Sequence, residues 1–123
     1  MQNFRAIFEE YGADYAQTMP RFMGNESLYL KLLSMLFEDT NLQKLGAALG
    51  AGDMAGAFEA GHTLKGVVGN MGLTPFYEAV CAMVEPLRNG EQREDYPQLY
   101  QAIRTEYKRA EELQKKLTGG ETV

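Results

Sequence analysis

The segment from Asp53 to Gly72 reads DMAGAFEAGHTLKGVVGNMG. Its apolar and small residues recur at spacings of three and four, which is the period of one helix face; they are Met54, Ala57, Gly61, Leu64, Val68 and Met71. At about 100° per residue, the imidazole of His62 projects about 140° away from the centre of that face. The pattern therefore predicts a helix with one buried face and a single histidine exposed on the other side.

The segments on either side also read as helices, because none of them alternates between apolar and polar residues as a strand does. The predicted helices cover residues 3–23, 25–49, 54–71, 74–88 and 95–117. Gly12 and Pro20 are expected to break or kink the first, Asn25 to cap the second, and Thr74-Pro75 to start the fourth. The predicted inner stripe of the second helix is Leu28, Leu32, Met35, Leu36, Leu42, Leu45 and Leu49. Short connections make successive helices antiparallel, so we expect an all-α, up-and-down antiparallel four-helix bundle with an additional N-terminal helix.

Length and charge restrict the function further. The 123 residues fit a single domain over 1–123, with a core from about 12 to 117 and a flexible tail over 118–123. The 12 basic and 17 acidic residues give a net charge of −5, which argues against nucleic acid and anionic membranes as partners. No stretch approaches the roughly 18 apolar residues of a membrane span.

The redox setting follows from the cysteine content. Cys81 is the only cysteine, so it cannot form an internal disulfide, and we expect a small buried side chain there. Residues 1–10 lack the uninterrupted apolar run of a signal peptide. Both observations favour a cytoplasmic protein, and Met1 with the complete set of helices favours a free-standing one.

The face of the predicted helix that carries His62 also carries the other candidate site residues, which are Ala55, Phe58, Glu59, Lys65, Gly66 and Gly69. Two glycines inside a helix cost about 1 kcal/mol each relative to alanine, so a role is expected for them. They can leave the surface beside the imidazole low enough for another protein to approach. Alternatively, they let a neighbouring helix of the same chain pack closely. Phe58 is expected to be an exposed anchor for a partner; the alternative is a core residue under the first helix.

The chemistry available at this surface is that of a nucleophile beside a cation. A neutral, exposed imidazole can take a phosphoryl group on a ring nitrogen, and Lys65 can neutralise the phosphoryl oxygens. The alternatives are a solvated lysine at position 65 and, for His62, either a surface histidine without function or, if the phase of the helix differs, a core histidine. A metal site is not expected, because one histidine and one distant cysteine do not make a ligand set.

The motif His62-Thr63-Leu64-Lys65-Gly66, followed by Gly69-Asn70-Met71-Gly72, resembles the signature of histidine-containing phosphotransfer (Hpt) domains. Further similarity lies in the stretch FMGNESLY at 22–29, in Gly52-Asp53 and in Glu85, and the resemblance covers roughly residues 12–115.

The resemblance implies a phosphorelay phosphocarrier. Such a domain accepts a phosphoryl group on His62 from the aspartate of one receiver domain and passes it to the aspartate of another. It has no kinase activity of its own and no cofactor, since the Mg²⁺ is expected on the receiver. The implied partners are response-regulator receivers and a hybrid sensor histidine kinase, with the chain itself a monomer. The alternatives are a helical adaptor that docks a receiver or kinase without accepting phosphate, and, less favoured, an enzyme that uses His62 as a general base.

Overall fold

A computed structural model describes residues 3–119 of the chain, and that part is mostly helical and has no strand. Its elements are α1 (Phe4–Tyr11), α2 (Tyr15–Thr18), a 3₁₀ helix (Met19–Phe22), α3 (Glu26–Leu36), α4 (Asn41–Gly50), α5 (Met54–Asn70), α6 (Thr74–Arg88) and α7 (Tyr96–Thr118). The predicted fold class is confirmed. Thr118, predicted in the tail, ends α7, and residues 120–123 of that tail lie outside the described residues.

The predicted N-terminal helix over 3–23 is three short helices. Gly12 adopts φ 118°, a left-handed conformation that glycine tolerates, and this ends α1. The Asp14 side chain accepts the backbone N–H of Gln17 and starts α2. Pro20 lies in the first turn of the 3₁₀ helix, where its missing N–H costs no hydrogen bond.

The predicted single helix over 25–49 is wrong, because residues 37–40 break it into α3 and α4. The Asp39 carboxylate accepts the backbone N–H of Asn41 at 2.7 Å and so takes the place of a helical partner. The inner stripe predicted for α3 is right in part: Leu36 is buried as predicted, but the other buried residues are Tyr29 and Leu33, and Met35 is 55 % exposed.

The broken segment still forms one arm of the bundle, running antiparallel to α7. Three side chains of α7 mark this alignment: Gln114 donates to Ser34, Tyr107 to the Phe37 carbonyl and Tyr100 to the Leu42 carbonyl. The residue numbers of these partners decrease along α7 as they increase from α3 to α4, so the two arms are antiparallel. The bundle therefore has four arms in up-and-down order. The first arm is formed by α3 and α4 together, and the other three are α5, α6 and α7.

The helix α5 packs between α4 and α6, and a glycine brings α5 and α6 together. A Cβ at Gly61 would lie 3.0 Å from the Val84 side chain, so a larger residue at this crossing would require the Val84 side chain to shift. The buried face of α6 includes Phe76, Val80, Met83, Val84 and Leu87. Cys81 is only half-buried, which corrects the expectation of a buried thiol.

The N-terminal helices cover the end of the bundle where α5 meets α6. The buried Tyr29 hydroxyl donates to the Met71 carbonyl at 2.7 Å. Arg21 Nη1 donates to the carbonyls of Gly69 and Asn70 at 2.9 and 3.1 Å. A cation that satisfies the last carbonyls of a helix complements its dipole, so Arg21 holds the C-terminal end of α5 in place.

No helix in residues 3–119 is long and apolar enough to cross a membrane.

Candidate functional site

The helix α5 presents His62 to solvent, as its sequence pattern predicts. The Asp53 carboxylate accepts the Gly56 N–H at 2.9 Å and caps the helix. The buried side of α5 consists of Ala57, Ala60, Gly61, Leu64 and Val68. His62 is exposed on the opposite side, in the middle of the helix. Regular helical geometry around a rigid buried face therefore fixes where the imidazole can be.

An aromatic ring lies against the imidazole. The rings of Phe58 and His62 are stacked, with centroids 5.5 Å apart and planes 19° from parallel. On α6, Arg88 places its Cζ 5.3 Å from the centre of the Phe58 ring. Phe58 is half-buried and packs against the hydrophobic core. The expectation of a fully exposed aromatic is thus corrected.

Lys65 lies one turn beyond His62 and belongs to an ion-pair network. Its Nζ is 3.7 Å from Glu85 Oε2, and Glu85 Oε1 is 3.5 Å from Arg88 Nε. The Lys65 side chain is 20 % exposed, so its aliphatic part packs on the protein surface while its charge remains at the rim. Lys65 is therefore not a freely solvated lysine. Because the ion pair is long and partly exposed, the ammonium group can change partner at little cost.

The two glycines predicted to keep the surface low behave differently. A Cβ at Gly66 would meet no atom within 4 Å, so the surface one turn after His62 is open. A Cβ at Gly69 would lie 2.9 Å from the ring of Tyr77 on α6. Gly69 therefore lets a neighbouring helix pack closely, which was the alternative interpretation.

The rest of the predicted face consists of one small and one charged residue. Ala55 and Glu59 are both exposed. Gly66 borders a groove of about 430 Å³ that is lined by residues of α2, α5 and α6, and the lining includes Lys65, Arg21 and Asn70. The site is an open surface around His62 rather than an enclosed pocket. Such a surface suits contact with a second macromolecule better than capture of a small substrate.

In residues 3–119, no three histidine, cysteine, aspartate or glutamate side chains are grouped so that they could hold a metal ion. The groups that the structure brings together at His62 are an aromatic ring, a lysine and an open glycine. An exposed nitrogen nucleophile beside a cation can receive and release a phosphoryl group.

The chain matches the family model of the Hpt domain over residues 31–113, more than half of its length, and it belongs to that family. Hpt domains are phosphocarriers in phosphorelays, and the family interacts with receiver and kinase domains. Neither a curated protein nor a solved structure gives a significant match to the chain.

Sequence reasoning did not identify Arg88 or Arg21 as residues of this region. Arg88 reaches the site across the α5–α6 contact, and Arg21 reaches it from the N-terminal cap. A single sequence does not predict either contact, because each depends on which turns of two helices face each other.

Phe58→Ala is expected to lower the free energy of unfolding by about 1–2 kcal/mol, because a half-buried ring loses less than the 3–5 kcal/mol of a core phenylalanine. Urea denaturation measures the change. Phe76→Ala supplies the scale, since Phe76 is fully buried on α6. Equal losses in the two variants would make Phe58 a core residue, and no loss would contradict its packing against the core.

Proposed function

We propose that the chain accepts a phosphoryl group on His62 from the aspartate of one receiver domain and transfers it to the aspartate of another. One observation carries the proposal. The family works through a histidine, this chain has only one, and that one is exposed in the middle of a bundle helix. Its neighbours Lys65 and Gly66 supply a charge and an approach path.

In the proposed step, a lone pair on one ring nitrogen of His62 attacks the phosphorus of an aspartyl phosphate. A P–N bond forms while the P–O bond to the aspartate breaks, and its electron pair stays on the leaving carboxylate. The attacking nitrogen must be unprotonated, so the ring proton is on the other nitrogen. Transfer to the second receiver reverses these events. The Mg²⁺ that the chemistry needs would come with the receiver, and this chain would contribute no cofactor.

Lys65 has a defined part in this proposal. Phosphorylation places about two negative charges one turn from its ammonium group. That dianion would compete with the single charge of Glu85, 3.7 Å away, for Lys65. Lys65 would then turn from Glu85 towards the phosphoryl oxygens, which lowers the energy of both the transition state and the phosphohistidine.

We infer the remaining properties from the family and the surface. A hybrid sensor histidine kinase would supply the first receiver, and a response regulator the second. Both belong to a cytoplasmic pathway. The chain would act as a monomer, since the face around His62 must be free for each receiver in turn.

Transfer between purified proteins tests the proposal. A receiver phosphorylated with labelled acetyl phosphate is separated from the donor and mixed with the chain, and then a second receiver is added. The expected result is label first on this chain and then on the second receiver. Binding of both receivers without any label on the chain would instead identify a docking adaptor.

Lys65→Ala is expected to slow phosphoryl transfer by about 10- to 100-fold, which is the effect of losing one charge-assisted contact. Rapid-quench kinetics with a phosphorylated receiver measure the rate. Lys108→Ala, at an exposed position of α7, is the control for loss of one positive charge. Transfer at the wild-type rate by Lys65→Ala would show that the lysine only pairs with Glu85.

A further inference from the structure

Arg88 of α6 contacts two residues, Phe58 and Glu85, that in turn contact His62 and Lys65. Through an aromatic ring it reaches His62, because its Cζ lies 5.3 Å from the Phe58 centroid and that ring stacks on the imidazole. Through a carboxylate it reaches Lys65, because Glu85 bridges the two cations at 3.5 and 3.7 Å. The Arg88 guanidinium is thus linked through Phe58 to His62 and through Glu85 to Lys65, on neighbouring turns of α5.

These contacts restrict side chains that would otherwise move. An exposed histidine in a helix can change rotamer about both side-chain torsions. Stacking on Phe58 favours the rotamer in which the ring leans over the preceding turn. Phe58 in turn is fixed between the core and Arg88, since it is half-buried and covered by the guanidinium. A reacting nitrogen held in one orientation loses less entropy when the phosphoryl donor arrives.

Resting on the proposed function, we propose that Phe58 and Arg88 are positioning residues for the phosphoryl acceptor. Phe58 holds the imidazole of His62 in the reactive orientation. Arg88 holds Phe58 and also pairs with Glu85, the carboxylate that pairs with Lys65. Neither Phe58 nor Arg88 touches the transferred group itself. Phe58 is then oriented inward, against His62 and the core, rather than outward as an anchor for a partner.

The same chain provides a matched control. Arg5 on α1 also pairs with a glutamate, Glu9, at 3.5 Å and lies 5.3 Å from an aromatic centroid, that of Tyr15. Its side chain is 59 % exposed against 43 % for Arg88. The helix α1 packs on α7 and α2. Arg5→Gln therefore removes an equivalent set of contacts at a distance from the site.

The test compares wild type, Phe58→Leu, Arg88→Gln, Arg88→Lys and Arg5→Gln. The first measurement is the NMR signal of the two carbon-bound imidazole protons in the unphosphorylated protein, which is unambiguous with one histidine. The second is the rate of phosphorylation by phosphoramidate, a small donor that needs no docking surface. Circular dichroism and thermal melts establish that each variant is folded.

We expect Phe58→Leu and Arg88→Gln to move the imidazole signals, because the ring current of Phe58 is lost or displaced. The same two variants should be phosphorylated about 2- to 10-fold more slowly, which corresponds to the loss of one aromatic contact. Arg88→Lys should recover part of the rate, since it keeps the charge but not the planar stack. Arg5→Gln should match wild type in both measurements.

Wild-type signals and rates in Arg88→Gln would overturn the inference. So would equal effects of Arg88→Gln and Arg5→Gln, since the change would then follow from loss of any surface arginine. A wild-type chain that takes no phosphoryl group would defeat the proposed function instead. In that case the imidazole signals alone decide whether Arg88 and Phe58 orient the ring.

Discussion

His62→Gln is expected to abolish phosphoryl transfer to the chain completely while the helical bundle stays folded. The imidazole is exposed on α5, so its replacement leaves the buried face of that helix untouched. Glutamine favours a helix as well as most residues and has no nucleophilic nitrogen. The free energy of unfolding should therefore change by no more than about 0.5 kcal/mol, the usual range for a surface substitution.

Label from a phosphorylated receiver, followed on a neutral gel, gives the result for His62→Gln. Thr63→Ala is the matched control, because Thr63 is the exposed hydroxyl next to His62. It should accept label as the wild type does. If His62→Gln retained the label and Thr63→Ala lost it, the acceptor would be the Thr63 hydroxyl instead.

Gly66→Leu should fold and yet fail to exchange phosphoryl groups with a receiver. A Cβ at this position meets nothing within 4 Å, so the helix gains up to about 1 kcal/mol of intrinsic stability when glycine is replaced. Helical side chains lean towards the N-terminus, so the new leucine would lean towards His62 on the preceding turn. A receiver held even about 1 Å away loses roughly 100-fold in rate.

Two further variants separate obstruction from other effects of the leucine. Gly66→Ala adds only a methyl group and should keep most of the transfer rate. Ala102→Leu adds the same bulk to an exposed position of α7 and should change nothing. Phosphoramidate should still phosphorylate Gly66→Leu, because a small donor needs little clearance. Normal exchange between Gly66→Leu and a receiver would rule out docking over this turn.

The helix that carries the site was predictable because its pattern is purely local. Residues of α5 at spacings of three and four are buried, and the phase of that face places His62 in solvent. The start of α6 at Thr74-Pro75 was equally local. These features need only the neighbouring residues in the sequence, so the fold class and the exposed histidine follow from the sequence alone.

The break at residues 37–40 was not predictable from periodicity. Met35 and Leu42 are seven residues apart, which is two helical turns, so the apolar stripe keeps its phase across the break. The competing Asp39–Asn41 hydrogen bond is a weak sequence signal. What makes the break tolerable lies 70 residues away, where Tyr107 donates to the freed Phe37 carbonyl. Tertiary contacts thus override a continuous local pattern.

The details of the site depend in the same way on contacts between helices. Gly66 and Gly69 are equivalent in the sequence, one turn apart on one face, yet Tyr77 of α6 covers only the second. The contacts of Lys65 and Phe58 come from Glu85 and Arg88, also on α6. The sequence identifies the reactive group, and the packing of α6 on α5 determines its surroundings.

Mass spectrometry that locates the phosphoryl group shows whether His62 is the acceptor. The chain is incubated with a phosphorylated receiver and digested at neutral or alkaline pH, where phosphohistidine survives. We expect one phosphoryl group on the peptide that contains His62, and brief acid treatment should remove it. An acid-stable phosphoryl group on another residue, or none on a folded chain that binds the receiver, would contradict this assignment.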